Sequence, residues 1–336
     1  MNSKNSRNIS GEVRERAVRA LGHVGGSKAV DTLIAVLVND RNPAIREAAA
    51  KALLGRLDGS AEALVAALAN DRSPDVRAAV AQTLGWYGGS DAVEALVAAL
   101  ARDCSPLVRA AAARALGKFD SNSAAVDALT AALSDDSAHV REAAAKALGW
   151  LGDHRAVDAL ATVLARDDSV SVCVAAVAAL GQLGDSAAVD SLIAALSDDS
   201  AHVRKAAAQA LGRLGDRMAS AALIGALNSD WDAAVREAAA EALGWLGDYR
   251  AVDALADALN GDSGECVRAR AAVSLGRLGG SKAVAALTAA LVSDSSASVR
   301  EAAANALEEL ARRGDSNAVA ALVDVLGLKR ENGPAE

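Results

Sequence analysis

A Val-Arg dipeptide, or a close variant of it, recurs along the chain at an almost constant interval. Its second position falls at Arg14, Arg46, Arg77, Arg109, Arg141, Cys173, Arg204, Arg236, Arg268 and Arg300. Successive members are 31 or 32 residues apart, which defines ten units with one departure, at Cys173. Residues 125–141 (AVDALTAALSDDSAHVR) and 188–204 (AVDSLIAALSDDSAHVR) differ only at Ala128/Ser191 and Thr130/Ile193. A unit this short cannot bury an apolar face alone, so the faces of successive units must cover one another. The 336 residues are therefore expected to form one elongated domain, not two or three separate globules.

Each unit reads as two helices. In the fifth, Asp153-His154-Arg155 leads into AVDALATVLA, whose Val157, Leu160 and Leu164 recur at helical spacing. The second helix is typified by HVREAAAKALGWLG (139–152), with Ser137 placed to cap its first amides. Pro43, Pro74 and Pro106 stand at the first helical position of sister units, where a missing N–H is harmless. Gly25, Gly88, Gly152, Gly184, Gly215, Gly247 and Gly279 end the second helix. A further glycine lies inside it, at 22, 85, 117, 149, 181, 212, 244 and 276, replaced by Leu54 and Glu308 in two units. A mid-helix glycine costs about 1 kcal/mol against alanine, so its recurrence predicts a neighbouring helix backbone passing very close.

Composition agrees. Apolar residues reach 52% but aromatic ones only 2%, so the core must be built from Ala, Leu and Val, in helices. The net charge of −8 disfavours a general polyanion binder. Three scattered cysteines, Cys104, Cys173 and Cys266, provide neither a disulfide framework nor a metal motif, and point to a reducing compartment. The opening MNSKNSRNIS has no apolar stretch, and no run is long enough to span a membrane, so a cytoplasmic location is expected. Residues 1–10 and 329–336 are expected to be disordered polar tails around a solenoid covering 11–328.

The pattern VREAAAxALGxLGDxxAVDALxxAL resembles the HEAT-like repeat of the phycobilisome-lyase type over residues from about 11 to 328. The resemblance implies a right-handed all-α solenoid of about ten two-helix repeats, with the second helices lining its concave face. It implies little about function, since such repeats occur in bilin lyase subunits, hydroxylases and adaptor proteins. The iron-binding hydroxylases of this kind carry His-Glu pairs, and no His-Glu dipeptide occurs here. His139 and His202 share one repeat position, which marks them as periodic surface residues.

No catalytic, cofactor or metal site emerges. Cys173 lies among Val172, Val174 and Val177, a setting that suits a packed side chain better than a nucleophile. The doublets Asp135-Asp136, Asp167-Asp168 and Asp198-Asp199 lack the glycine and distal glutamate of a calcium loop and suit helix N-termini. The recurring arginine reads as a ladder of ion pairs. Its candidate partners are the row Asp153, Asp185, Asp216, Asp248 or the row Asp31, Asp127, Asp158, Asp190, Asp253.

Variation concentrates on one stripe of the second helix, at positions 142, 146 and 150 and their equivalents. Across the chain the stripe carries eight cations and seven anions, too balanced for a nucleic-acid groove. Trp86, Trp150 and Trp245 share one stripe position, and tryptophan is enriched at interface hot spots. Val174 and Ala178 form an uncharged gap beside Trp150. The expected partner-binding residues are Trp86, Arg114, Lys118, Lys146, Trp150, Val174, Ala178, Lys205, Arg213, Glu241, Trp245 and Arg277. The function expected is a non-enzymatic scaffold that binds a protein or peptide, with no cofactor. Readings of other classes are a bilin lyase or chromophore-chaperone subunit, and a nucleic-acid binder. Leu326 and Leu328 look uncovered and raise end-to-end self-association.

Overall fold

The computed structural model describes residues 10–54, 61–120 and 122–326. The expected tails therefore fall almost wholly outside the described residues. Contacts divide the chain into two compact units, one up to Leu183 and one from Gly184 on. The first holds α1 (Gly11–Val24), α2 (Ser27–Asn39), α3 (Pro43–Ala52), α4 (Ala61–Asn70), α5 (Pro74–Tyr87) and α6 (Ser90–Arg102). It continues with α7 (Pro106–Leu116), α8 (Ser123–Ala132), α9 (Ala138–Leu151), α10 (Val157–Arg166) and α11 (Val170–Leu183). The second holds α12 (Val189–Ala194), α13 (Ala201–Leu214), α14 (Ser220–Ser229), α15 (Ala233–Leu246) and α16 (Val252–Gly261). It ends with α17 (Glu265–Leu278), α18 (Ser281–Ser293), α19 (Ala297–Arg312) and α20 (Ser316–Val325). Even-numbered helices are the first of each repeat and odd-numbered helices the second. The fold is an α-solenoid of stacked helix pairs, with no strand among the described residues.

The helix boundaries follow the punctuation of the sequence. Helices α3, α5 and α7 begin at their prolines. Seven odd helices stop at a glycine of positive φ, such as Gly152 (69°), Gly215 (72°) and Gly247 (64°), whereas α3, α7 and α19 end on Leu53, Gly117 and Arg313 in right-handed helical conformation. Each even helix from α2 to α18 contributes a fully buried leucine, for example Leu33, Leu64, Leu96, Leu129 and Leu160 in the first unit. Odd helices answer with Val and Ala, as at Val76, Ala79, Ala81 and Leu84. Fully burying one such leucine contributes about 1.5–3 kcal/mol.

The interior glycines lie against the next odd helix, as their recurrence requires. A Cβ added at Gly85 would stand 2.8 Å from Ala115 Cβ and 2.9 Å from Ala115 Cα. One at Gly212 would stand 2.9 Å from both Ala242 atoms. The approach is close enough for short side chains to reach the neighbouring backbone. Thr83 Oγ1 donates to the Ala50 carbonyl at 2.9 Å, and Ser274 Oγ to the Ala240 carbonyl at 2.7 Å.

The arginine ladder exists, but with other partners than either expected row. Arg77 donates from Nε and Nη2 to both oxygens of Asp103, at 2.7 and 2.8 Å, and from Nη1 to the Asp71 carbonyl at 2.8 Å. The same fork joins Arg46 to Asp71, Arg109 to Asp135 and Arg141 to Asp167 in the first unit, where Arg14 also pairs with Asp40. In the second unit it joins Arg204 to Asp230, Arg236 to Asp262 and Arg268 to Asp294. Each partner is the aspartate of the turn between the two helices of the following repeat. That turn lies directly beside the start of the odd helix carrying the arginine, within reach of a bidentate fork. The row Asp153, Asp185, Asp216 and Asp248 instead caps short 3-10 turns, accepting the N–H two residues on. Of the other row, Asp127 meets Arg155 and Asp253 meets Lys282, both on the exposed surface of even helices.

The same turn aspartates take over the role expected of Ser137. No side-chain capping bond comes from Ser137. Asp135 Oδ1 accepts the Ser137 N–H at 2.9 Å while both its oxygens hold Arg109. The first carboxylates of two doublets, Asp135 and Asp167, thus fix the turn and lock it to the repeat before, whereas Asp198 orders its turn through the Ser200 N–H. Cys173 replaces the arginine in α11, and its thiol lies 3.2 Å from the Asp167 carbonyl, the type of acceptor that Nη1 takes elsewhere.

Burial pushes the carboxyls of Asp71, Asp103, Asp135, Asp230 and Asp262 up. The arginine hydrogen bond, the backbone N–H and the guanidinium charges together outweigh it, and each sits below the ordinary carboxylate range. At Asp167 and Asp294 the arginine hydrogen bond is the largest influence, and the shift is again downward.

Three outcomes follow from these contacts. Gly225 in α14 has open space around it, so Gly225→Ala should stabilise by about 0.5–1 kcal/mol through helix propensity. Gly212→Ala should destabilise, because its methyl group meets α15; denaturant titration of both variants checks the opposite signs. Arg77→Ala strands the half-buried Asp103 carboxylate and should cost about 2–4 kcal/mol, with the Arg77→Ala/Asp103→Ala cycle showing strong coupling. Equal stability of Arg77→Ala and the parent would exclude the ladder as a structural lock. The lowered carboxyls bind fewer protons in the folded chain than in the unfolded one. Their stabilisation is complete above the unfolded Asp value of about 3.9 and is lost as pH falls through it toward the folded values. Unfolding free energy should hold between about pH 7 and 5 and fall steeply below about pH 4.

Candidate functional site

The odd helices present a face whose constant positions are buried and whose stripe positions are exposed or half-buried, except Ala78 and Ala110. On α9, Ala143, Ala144, Ala145, Ala147 and Leu148 are buried, while Lys146 and Trp150 are exposed. Each stripe residue stands one turn from the next, so its side chain leaves the same side of the helix.

The three tryptophans of the shared position are exposed by 60% (Trp86), 53% (Trp150) and 42% (Trp245). None is free of the scaffold. A Cβ at Gly117 would meet Trp150 Cε3 at 3.1 Å, and one at Gly212 would meet Trp245 Cε3 at 2.9 Å. The Trp150 and Trp245 rings therefore each lie with one edge over the glycine of the preceding odd helix; before Trp86 that position is Leu54. Trp86 carries a cation: Lys118 Nζ stands 3.6 Å from its ring centroid. Burial there pushes the Lys118 ammonium pKa down. The fourth tryptophan, Trp231, lies in the turn after α14, 76% exposed, with the Arg204 guanidinium 4.9 Å from its ring.

Most stripe charges are already matched. Lys146 pairs with Glu142 along α9, as Lys51 pairs with Glu47 and Arg19 with Glu15. The Lys146 hydrogen bond, against burial, holds Glu142 below its ordinary range. Glu241 and Glu237 on α15 are both held by Arg270 of α17, at 3.0 and 3.3 Å. Arg270 lies one position beyond the stripe, and only the packing of α15 on α17 reveals its role. Arg114, Lys205, Arg213 and Arg277 make no ion pair among the described residues.

In the first unit the structure brings Trp86, Arg114, Lys118, Lys146 and Trp150 together along α5, α7 and α9. A cleft of about 360 Å³ opens between α7 and α9, lined by Leu107, Ala110, Arg114, His139, Ala143 and Lys146. Val174 and Ala178 lie half-buried on α11, which packs against α9 through Gly149 and Ala179. In the second unit Lys205 and Arg213 lie on α13, Glu241 and Trp245 on α15, and Arg277 on α17. His139 and Leu107 are cleft-lining residues that the stripe pattern missed, because they stand in the first helical turn. Among the described residues no group of three or more His, Cys, Asp and Glu side chains is arranged to hold a metal ion. No helix among them is long and apolar enough to cross a membrane. Val319, Val323 and Leu326 of the last helix and its cap are exposed, and Leu328 lies outside the described residues.

A family model for HEAT repeats matches residues 7–66, 54–117, 93–173, 161–244, 220–308 and 252–332. A search of curated proteins finds no match. Among solved structures, the chain is similar to the YibA protein of E. coli at 21% identity, covering 81% of this chain and 97% of that one, with a TM-score of 0.54. It is similar to the complex of CpcE and CpcF of phycocyanin lyase from Nostoc at 29% identity, covering 68% and 92%, with a TM-score of 0.42. Similarity to Kap95p, in its complex with RanGDP, runs at 16% identity over 96% of this chain with a TM-score of 0.71, and spans about half (52%) of that chain. The repeat geometry and the family match agree along nearly the whole sequence: the chain belongs to the HEAT-repeat family.

Proposed function

We propose that the chain is a non-enzymatic scaffold that grips a protein or peptide partner along the face of its odd-numbered helices. The carrying observation is the row of Trp86, Trp150 and Trp245, half-exposed at one repeat position in a chain whose aromatic content is 2%. A tryptophan with one edge fixed over a glycine is pre-ordered, so little conformational freedom is lost when a partner covers its open face. The close approach of the odd helices supports taking their side as the concave one. The resemblance to solenoids crystallised with a protein partner, such as Kap95p with RanGDP, suits this reading. The constancy of the buried positions suits it too, since a scaffold can vary its stripe without disturbing its stack.

The test is capture by two immobilised baits, the intact chain and a Trp86→Ala/Trp150→Ala/Trp245→Ala variant matched in helicity by circular dichroism. A partner purified from the first should bind the triple variant at least about thirtyfold more weakly, the loss of about 2 kcal/mol or more typical of one hot-spot tryptophan. Equal capture by both baits would make the tryptophan row a packing device and overturn the proposal.

A further inference from the structure

The stripe of α7 carries cations without the carboxylate that accompanies them on the other charged stripes of the first unit. On α1, α3 and α9 the stripe opens with Glu15, Glu47 and Glu142, each paired to the cation one turn on. On α5 and α7 that opening position is Ala78 and Ala110, both buried, and of the two only α7 follows it with cations. Arg114 is therefore left exposed with no carboxylate, and Lys118 has only the face of Trp86. The 117–118 turn lies between two half-exposed rings, Trp86 beside Lys118 and Trp150 over Gly117. About three helical turns earlier, Leu107 is 47% exposed at the mouth of the α7–α9 cleft, whose apolar lining of Pro106, Leu107, Ala110 and Ala143 is edged by Arg114, His139 and the Glu142–Lys146 pair. Two unmatched cations, two aromatic faces and this cleft thus line one side of α7 in the first unit.

We propose that this patch binds an acidic peptide segment, its carboxylates meeting Arg114 and Lys118 and an adjacent large apolar side chain entering between the tryptophans and the cleft. The proposal rests on the scaffold reading above and names the chemistry of its partner. Charge decides the class. An Arg fork accepts a carboxylate bidentately, and a carboxylate beside Lys118 supplies the anion that its site lacks. A basic peptide would place a third cation against two that nothing neutralises. A nucleic-acid strand needs cations tracking its backbone over several nucleotides. Here the neighbouring stripe on α5 is uncharged (Ala78, Gln82, Trp86) and that on α9 carries Glu142 paired with Lys146, so the unmatched cations are confined to one helix.

The test is selection from a phage-displayed library of random peptides on the intact chain, with subtraction on an Arg114→Glu/Lys118→Glu variant. Both side chains are exposed, and circular dichroism checks that the variant folds. The recovered peptides should carry Asp or Glu next to Leu, Phe or Trp. Their affinity for the double variant should fall about tenfold or more, and added salt should weaken binding to the intact chain. The charge-matched variant Arg102→Glu/Arg166→Glu, on exposed even-helix positions, should bind them unchanged. Recovery of basic or uncharged peptides, or of none that depends on Arg114 and Lys118, overturns the inference. If such peptides still depend on Trp150, the scaffold reading survives without the acidic partner. Binding of fluorescein-labelled oligothymidylate that the same double variant abolishes would overturn both readings in favour of nucleic acid.

Discussion

Glycine at one position of the odd helices sets the distance at which those helices stack, and the rest of each unit adjusts to it. With Gly85 against Ala115, Gly212 against Ala242 and Gly244 against Ser274, the seam takes small side chains, Ala, Ser or Thr. The seam is therefore alanine-rich, and the chain has almost no Phe or Tyr because no interior position has room for them. Large side chains can occur only where the helix faces away from its neighbours. That is why the tryptophans sit on the stripe, and why their exposure follows from backbone spacing before any partner is considered.

A seam of small residues fixes spacing but gives little resistance to sliding along the helix axis, since alanine faces are smooth. The arginine forks supply that register. Each guanidinium holds both oxygens of the next turn's aspartate and the carbonyl of its own turn, so consecutive turns are pinned at three points. The aspartate is shared between two tasks, ordering its turn through the N–H two residues on and receiving the arginine. Within each unit the ladder therefore couples turn geometry to repeat spacing. At Cys173 the contact to the carbonyl of its own turn is kept by a thiol, which cannot form a fork.

Much of this is legible in the sequence, and the parts that are not have physical reasons. Period, helix ends and the close seam can be read directly, because proline, glycine and a mid-helix glycine each have one main structural use. The ladder can be read from its arginines, but its partners cannot. Aspartate recurs at several positions of each repeat, all in phase, and periodicity alone does not tell a turn carboxylate near a neighbour's helix from one capping its own turn. Asp153 and Asp135 differ only in which turn they open, and only folding shows that Asp135 faces Arg109. Ser137 carries the same lesson. A serine at an N-cap is a good candidate, yet an aspartate two residues earlier already orders the turn.

The stripe shows a second limit of reading by composition. Counting formal charges along it gives near neutrality, which is correct and conceals its field. A pair such as Glu142 and Lys146 cancels at the range a partner feels, whereas Glu237 and Glu241 around the single Arg270 leave one negative charge in the second unit. What remains is set by the unmatched groups, and in the first unit these are the two cations of α7. A single Ala110 where α1, α3 and α9 hold glutamate is enough to create that local excess. In a repeat protein, recognition can thus be written by deleting one member of a pair, with the buried seam and the ladder left intact.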